Sequence, residues 1–109
     1  MVVNYFYISG AEDEREIRSR LEEKNYAVIG GERYSIRRRI AMVQSNDRRK
    51  VIVLEEIDMR DRVELRLAYY IKGRRGRARN RWVWGQFASM MPPQDLRKLI
   101  EKAREIGML

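Results

Sequence analysis

The sequence predicts an α+β fold, with an antiparallel sheet of four to five strands flanked by helices in the order β-α-β-β-β-β-α. Two observations predict it. Several runs alternate apolar and polar side chains, as half-buried strands do, and a run near each end carries apolar residues at helical spacing. Because 109 residues suffice for one core, residues 1–109 are expected to form a single domain.

The first strand is predicted at Val2–Ile8, because this run is β-branched and aromatic and stops at a Ser-Gly pair. Phe6 and Ile8 carry no polar atom and are expected to face the core. That arrangement leaves Tyr5 and Tyr7 on the opposite side, as candidate surfaces for stacking.

A helix and a second strand follow. Glu12–Lys24 has acids in its first turn and a narrow apolar stripe, which is typical of a surface helix. Tyr34–Val43 alternates well enough to predict a strand, and only Arg38 breaks the pattern. A short helix capped by Ser35 is the alternative for this run. The pair Gly30-Gly31 between the two elements is expected to form a turn.

Three more strands and a helix are predicted in the second half. The strands are Lys50–Ile57, Arg62–Lys72 and Ala78–Met90, and the helix begins after Pro92-Pro93 and ends at Gly107. In the middle strand, alternation predicts that Val63, Leu65, Leu67, Tyr69 and Ile71 face inward and that Arg62, Glu64, Arg66 and Tyr70 face outward.

Composition removes several classes of chemistry. The chain has no Cys and no His, which excludes disulfides, thiolate metal sites and His-based catalysis. We therefore expect a protein that is not an enzyme and has neither cofactor nor metal. The sequence shows no membrane-spanning run and no cleaved signal pattern, so a soluble, cytoplasmic protein with no membrane partner is expected.

The net charge of +8 indicates a polyanionic partner, and arginine outnumbers lysine nineteen to five. A thermophilic protein with many arginines in surface ion pairs would have a similar composition. The distribution is more informative. Residues 33–50 carry seven basic residues against one acid, and residues 66–81 carry seven with no acid at all, as expected of a phosphate-binding surface.

The predicted hairpin of the last two strands combines this arginine series with aromatic rings. Single-strand binders need both, because cations track the backbone and flat rings stack on unpaired bases. The candidate nucleic-acid-binding residues are Tyr5, Tyr7, Arg37, Arg39, Arg66, Tyr70, Lys72, Arg74, Arg75, Arg77, Arg79, Arg81, Trp82 and Trp84.

The hairpin register decides which way the two tryptophans point. With a four-residue tip, Lys72 pairs with Arg77, and Trp82 and Trp84 face the core. With a five-residue tip, every side chain of the last strand changes face, and both indoles lie outside beside Arg66. We expect at least one indole to be accessible to a ligand.

Five acids lie around one predicted turn, and a magnesium-dependent nuclease would need such carboxylates. Ion pairing with Arg60, Arg62 and Arg66 is the favoured interpretation. The acids are Glu55, Glu56, Asp58, Asp61 and Glu64.

The runs Tyr69-Tyr70-Ile71-Lys72-Gly73, Arg81-Trp82-Val83-Trp84-Gly85-Gln86 and Met91-Pro92-Pro93-Gln94-Asp95-Leu96 resemble the ThermoDBP family of archaeal single-strand-binding proteins. The resemblance implies an antiparallel sheet with flanking helices and a basic, aromatic cleft for single-stranded DNA or RNA. By this resemblance, the Arg-rich hairpin and the Trp-Val-Trp strand would line or support the cleft. The order strand, basic turn, strand, helix is also similar to positive-cofactor transcriptional coactivators and to the Whirly proteins, which bind single strands too.

The sequence therefore predicts a non-catalytic binder of single-stranded DNA or RNA with little sequence preference. A structural RNA-binding component of a ribonucleoprotein particle is the alternative, and a carboxylate/magnesium nuclease is a weaker one. The choice between DNA and RNA stays open, and so does the oligomeric state, a homo-oligomer included.

Overall fold

The computed structural model describes residues 1–109 as one six-stranded mixed sheet with two α-helices. The elements are β1 (Val3–Tyr7), α1 (Glu14–Glu23), β2 (Tyr26–Ile29), β3 (Glu32–Gln44), β4 (Asp47–Asp58), β5 (Val63–Lys72), a 3₁₀ turn (Gly76–Ala78), β6 (Trp82–Trp84) and α2 (Pro93–Glu105). The strand order is β1-β3-β4-β5-β6, with β2 also paired to β3. Neither helix is long and apolar enough to cross a membrane.

The α+β class is confirmed, but the predicted antiparallel sheet of four to five strands is matched only in part, because the sheet has six strands and one of its pairings is parallel. β1 runs parallel to β3, from Val3 opposite Arg38 to Tyr7 opposite Met42. A parallel pair needs a crossover connection, and the chain between the two strands contains α1. The strand β2 was not predicted, because its four residues are too few to show a period. Gly30 and Gly31, both at positive φ, form the predicted turn between β2 and β3.

A β-bulge at Arg37 explains why Arg38 breaks the alternation of β3. Ile36 lies opposite Ile57, whereas Arg38 lies opposite Glu56, so Arg37 has no partner across the ladder. Because of the extra residue, the side chains after the bulge point to the opposite face from the one that the alternation up to Ile36 predicts. The run is thus a strand and not the alternative short helix.

Each helix covers a different face of the sheet, and we name the faces after the helices. On the α1 face, Ile17 and Leu21 pack against a buried cluster that includes Ala41 and Val53. On the α2 face, the helix packs against the core strands β3 and β4, and the cluster there contains Ile40, Met42, Ile52, Leu54, Leu99 and Ala103. Phe6 and Ile8 join the α1-face cluster, as predicted.

The predicted orientation of β5 is wrong. The stripe that was expected to face inward lies on the α2 face, and Val63, Leu65, Leu67 and Ile71 are exposed there; Tyr69 alone is buried. Arg66 and Tyr70 lie on the other face, beside α1. The reason is the placement of the helices, because α2 packs on β3 and β4 and leaves β5 uncovered.

Both predicted hairpin registers are also wrong. Lys72 pairs with Trp82 and Tyr70 with Trp84, so residues 73–81 form the connection and β6 is only three residues long. The predicted strand Ala78–Met90 is therefore mostly loop. Gly73 explains the compact connection, since a Cβ at this position would lie 2.2 Å from the Ala78 carbonyl oxygen.

Candidate nucleic-acid interface

A cleft of about 670 Å³ opens on the α1 face, between the end of α1, the strand β2 and the β5–β6 connection. The end of α1 forms one wall and the connection forms the other. The sheet forms the floor. The polar and aromatic lining consists of Arg20, Lys24, Tyr26, Glu55, Arg66, Tyr70, Arg77, Arg81, Trp82 and Trp84.

The lining of the cleft is strongly cationic. It contains five basic side chains and a single acid, Glu55, which is itself paired with Arg66. The other four cations, Arg20, Lys24, Arg77 and Arg81, form no ion pair with any acid of the chain. Four cations without partners on the walls of one groove create a field that attracts a polyanion.

The acid on the floor is neutralised from two sides. Glu55 is 2% exposed, with its Oε2 3.5 Å from Nε of Arg39 and its Oε1 2.8 Å from Nη2 of Arg66. Burial lowers the pKa of Arg39, and the nearby Glu55 partly offsets this by favouring the charged guanidinium. The floor therefore carries a compensated charge group, and the net charge of the cleft comes from its walls.

Arg39 was predicted to bind nucleic acid, and its position contradicts this. The side chain is 1% exposed. It donates hydrogen bonds to Asn4 Oδ1 and the Leu21 carbonyl, both at 2.9 Å, and to the Lys24 carbonyl. Arg39 thus satisfies the last carbonyls of α1 and fixes the end of the helix over the sheet.

The two tryptophans have different environments although both lie on the α1 face. Trp84 is 39% exposed, and its ring meets that of Tyr70 edge to face with 5.3 Å between centroids. Arg66 Cζ lies 4.9 Å from the Trp84 ring centroid. Trp82 is 1% exposed and donates its indole N–H to the Glu12 carbonyl at 3.0 Å. One indole is accessible from solvent, and the other belongs to the core.

Tyr70 lies on the floor beneath Trp84 and is almost completely buried. Burial raises the pKa of its hydroxyl, and the neighbouring Glu55 raises it further. The ring is therefore neutral at physiological pH and supports the exposed indole, while its own faces are largely covered.

Three further predicted residues lie away from the cleft. Tyr5 packs half-buried against the α2-face cluster, and Tyr7 lies on the same face, with Lys102 Nζ 4.8 Å from its ring centroid. The sheet separates both rings from the cleft. Lys72 is buried, with its Nζ 3.7 Å from Asp13 Oδ2, so it cannot meet a ligand on the surface.

The remaining predicted arginines are exposed, but they do not share one site. Arg77 and Arg81 line the cleft. Arg74, Arg75 and Arg79 lie on the same connection outside the lining, and Arg37 lies at the bulge of β3 with its Nε 4.0 Å from Glu56. The connection is held at its base by Arg49, which donates to the carbonyls of Lys72 and Gly73 at 3.2 and 2.8 Å.

Three cationic or aromatic residues of the cleft were not predicted: Arg20, Lys24 and Tyr26. Arg20 and Lys24 are four apart, so helical spacing places them on one side of the α1 terminus. Tyr26 belongs to the strand that was not predicted, and Arg33 Cζ lies 4.3 Å from its ring centroid. Only the tertiary structure brings these residues opposite β6.

The acids around the β4–β5 turn do not converge. Glu55 faces α1 and Glu56 faces α2, where it pairs with Arg38, while Arg62 pairs with Asp61 and Glu64. The predicted ion pairs of Arg62 and Arg66 are thus present, whereas Arg60 pairs with Glu32 and with none of the five acids. No group of three acids in the chain comes close enough to hold a metal ion together.

No protein-family model matches this sequence, and no curated protein or solved structure matches it either.

Proposed function

We propose that this protein binds single-stranded nucleic acid in the cleft, without catalysis and with little sequence preference. One observation carries the proposal: four cations without ion-pair partners stand around an exposed indole in a groove of about 670 Å³. Cations at the walls suit the sugar–phosphate backbone, and an accessible indole suits an unpaired base.

The placement of rings and charges favours a single strand over a duplex. Bases in a duplex stack on one another, so only an unpaired base offers its face to Trp84. Sequence preference is expected to be weak, because phosphate contacts carry no sequence information and stacking tolerates every base. The resemblance to the ThermoDBP family implies that the Trp82–Trp84 strand lines or supports such a cleft, and this strand belongs to the lining described above.

A fluorescence-anisotropy titration of one labelled oligonucleotide, made as DNA and as RNA, tests the proposal. We expect both single strands to bind more tightly than the matching duplex. If the four free cations each contact a phosphate, log affinity should fall against log salt with a slope of about −3, taking ~0.7 per contact. Affinity that does not depend on salt, or tighter binding of duplex, would overturn the proposal. Binding of one folded RNA far above all homopolymers would indicate a ribonucleoprotein component instead.

Two double variants with the same change of charge locate the site. Arg77→Ala with Arg81→Ala removes two cations from the cleft wall, whereas Arg97→Ala with Arg104→Ala removes two exposed cations from α2. The first pair should lower the magnitude of the salt slope by about 1.4, and the second should leave it nearly unchanged. Equal effects of both pairs would mean that the whole surface, and not the cleft, attracts nucleic acid.

A further inference from the structure

The first half of β5 is a free edge of the sheet. β6 pairs only with Tyr70, Ile71 and Lys72, and the last backbone contact beyond it is the bond from Gly85 N–H to the Tyr69 carbonyl. From Val63 to Ala68 no strand lies on that side. Free edges with exposed apolar residues invite another strand, so native proteins usually blunt or cover them.

The hydrogen-bond register shows which backbone groups face outward. Gly85 N–H bonds to Tyr69 and Gly73 N–H bonds to Arg81, so the odd-numbered residues of β5 direct their N–H and C=O groups away from β4. Continued along the strand, this pattern leaves the backbone groups of Val63, Leu65 and Leu67 pointing into solvent.

The side chains of the same three residues are exposed on the α2 face, at 44%, 38% and 49% for Val63, Leu65 and Leu67. Glu64 and Arg66 alternate with them on the α1 face. Along this edge the chain therefore offers unpaired backbone groups, an apolar stripe on one side and two opposite charges on the other.

We propose that two copies of this protein pair antiparallel through this edge, about a two-fold axis at Leu65. In that register the partner's Leu65 lies opposite Leu65, and the partner's Leu67 lies opposite Val63. On the other face, the partner's Arg66 lies opposite Glu64, and the same contacts repeat by symmetry. The outward backbone groups form about six hydrogen bonds, and the two sheets become one continuous sheet.

Charge selects both the partner and the register. Moving the axis to Glu64 would place Glu64 opposite the partner's Glu64, and moving it to Arg66 would oppose the two Arg66 side chains; like charges in direct opposition are destabilising. Of these three axes, only the one at Leu65 makes two opposite-charge pairs. An axis at Val63 would oppose Arg62 and Glu64, but it would place Leu67 opposite the partner's position 59, outside the strand. Arg66 can keep Glu55 while it meets the partner's Glu64, because a guanidinium has five donors. The edge is thus complementary to itself, which identifies a second copy as its occupant.

Sedimentation velocity of the full chain without nucleic acid, across about 1 to 100 µM, tests the dimer independently of the proposed function. Glu64→Arg should raise the dissociation constant about tenfold or more, because it replaces both attractive pairs with repulsive ones. Glu101→Arg, the same charge change on an exposed position of α2, should leave it unchanged. A wild-type chain that stays monomeric over this range overturns the proposal, and so does a dimer that Glu64→Arg does not weaken.

Hydrogen exchange gives a second measurement that needs no variant. The amides of Val63, Leu65 and Leu67 should gain protection as protein concentration rises, whereas those of Glu64 and Arg66 already bond to β4 and should not change. Protection that does not alternate along the strand, or that depends on concentration elsewhere only, would contradict this register.

Discussion

The two faces of the sheet differ in how far a helix covers them. α2 covers the α2 face over β3 and β4 with apolar contacts, but it leaves the apolar side chains of β5 bare. α1 reaches further across its own face, and there polar and charged side chains of β5 and β4 lie buried or half-buried around the cleft. Apolar residues are thus exposed on one side, while a carboxylate with two guanidinium partners lies inside on the other.

This difference teaches that alternation identifies the two faces of a strand but does not say which face is covered. That choice belongs to the helices, whose positions depend on the whole chain. The two faces also present different surfaces. The α1 face offers a charged groove that suits a polyanion, and the α2 face offers an apolar stripe that suits another strand.

The largest expected effect compares adjacent arginines on opposite faces. Arg39→Met should lower the free energy of unfolding by about 3–5 kcal/mol, because it leaves Glu55 buried with one partner fewer and frees the end of α1. Arg38→Met removes a partly exposed partner of Glu56 and should cost only about 1–3 kcal/mol. Urea unfolding of both variants measures the difference. Similar losses would mean that burial of the ion pair has no special weight on the α1 face.

Substitutions of the two tryptophans should have different effects, because Trp82 is buried in the core and Trp84 is exposed in the cleft. Trp82→Ala should lower the free energy of unfolding by about 3–5 kcal/mol, since it leaves a cavity beneath α1. Trp84→Ala should have a smaller effect on stability and should weaken single-strand binding by about 1–3 kcal/mol. Denaturation and binding titrations of each variant measure the two quantities. If the folded Trp84→Ala protein binds single strands with normal affinity, the Trp84 indole is not the stacking surface.

A smaller, pH-dependent effect is expected on the α2 face. Hydrogen bonds from Arg38, at 2.7 Å to each oxygen of Glu56, hold the pKa of this carboxyl below its ordinary value. Since the pKa is depressed in the folded protein, the stabilisation is present above the unfolded-state pKa and is lost as the pH falls through the folded-state pKa.

Glu56→Gln should therefore be less stable than the wild type at neutral pH, and the difference should shrink as the pH falls through the depressed pKa of the Glu56 carboxyl. Urea unfolding at several pH values measures it, with Glu101→Gln on the exposed side of α2 as control. A difference that is constant with pH would show that the Glu56 carboxylate contributes through packing alone.

Sequence predicted those parts of the fold that rest on local pattern. Apolar residues at helical spacing between Pro93 and Gly107 identified α2, and Tyr34–Val43 is a strand, as predicted, despite the bulge at Arg37. The register of β6 could not be predicted from local pattern. It depends on the close approach of Gly73 to Ala78 and on hydrogen bonds from Arg49, which is distant from this connection in sequence.

The same limit applies to the cleft. Arg77, Arg81 and Trp84 were predicted as part of the site, and the structure brings them to one groove. Arg39 and Lys72 were predicted with them on charge alone, yet both are buried in ion pairs. A count of charges along the sequence cannot separate an arginine that holds a helix end from one that faces solvent.

The clamped connection between β5 and β6 has a consequence for the entropy of binding. Backbone hydrogen bonds join Gly73 to Asn80 and Arg81, and Arg49 holds the same residue from the other side. Because the backbone that carries five arginines is ordered before any ligand arrives, association does not have to fix it at about 1–2 kcal/mol per residue. On binding of the proposed ligand, only the arginine side chains lose conformational freedom, at about 0.5–1.5 kcal/mol each. The entropic cost of binding at this highly charged loop is therefore close to that of a rigid surface.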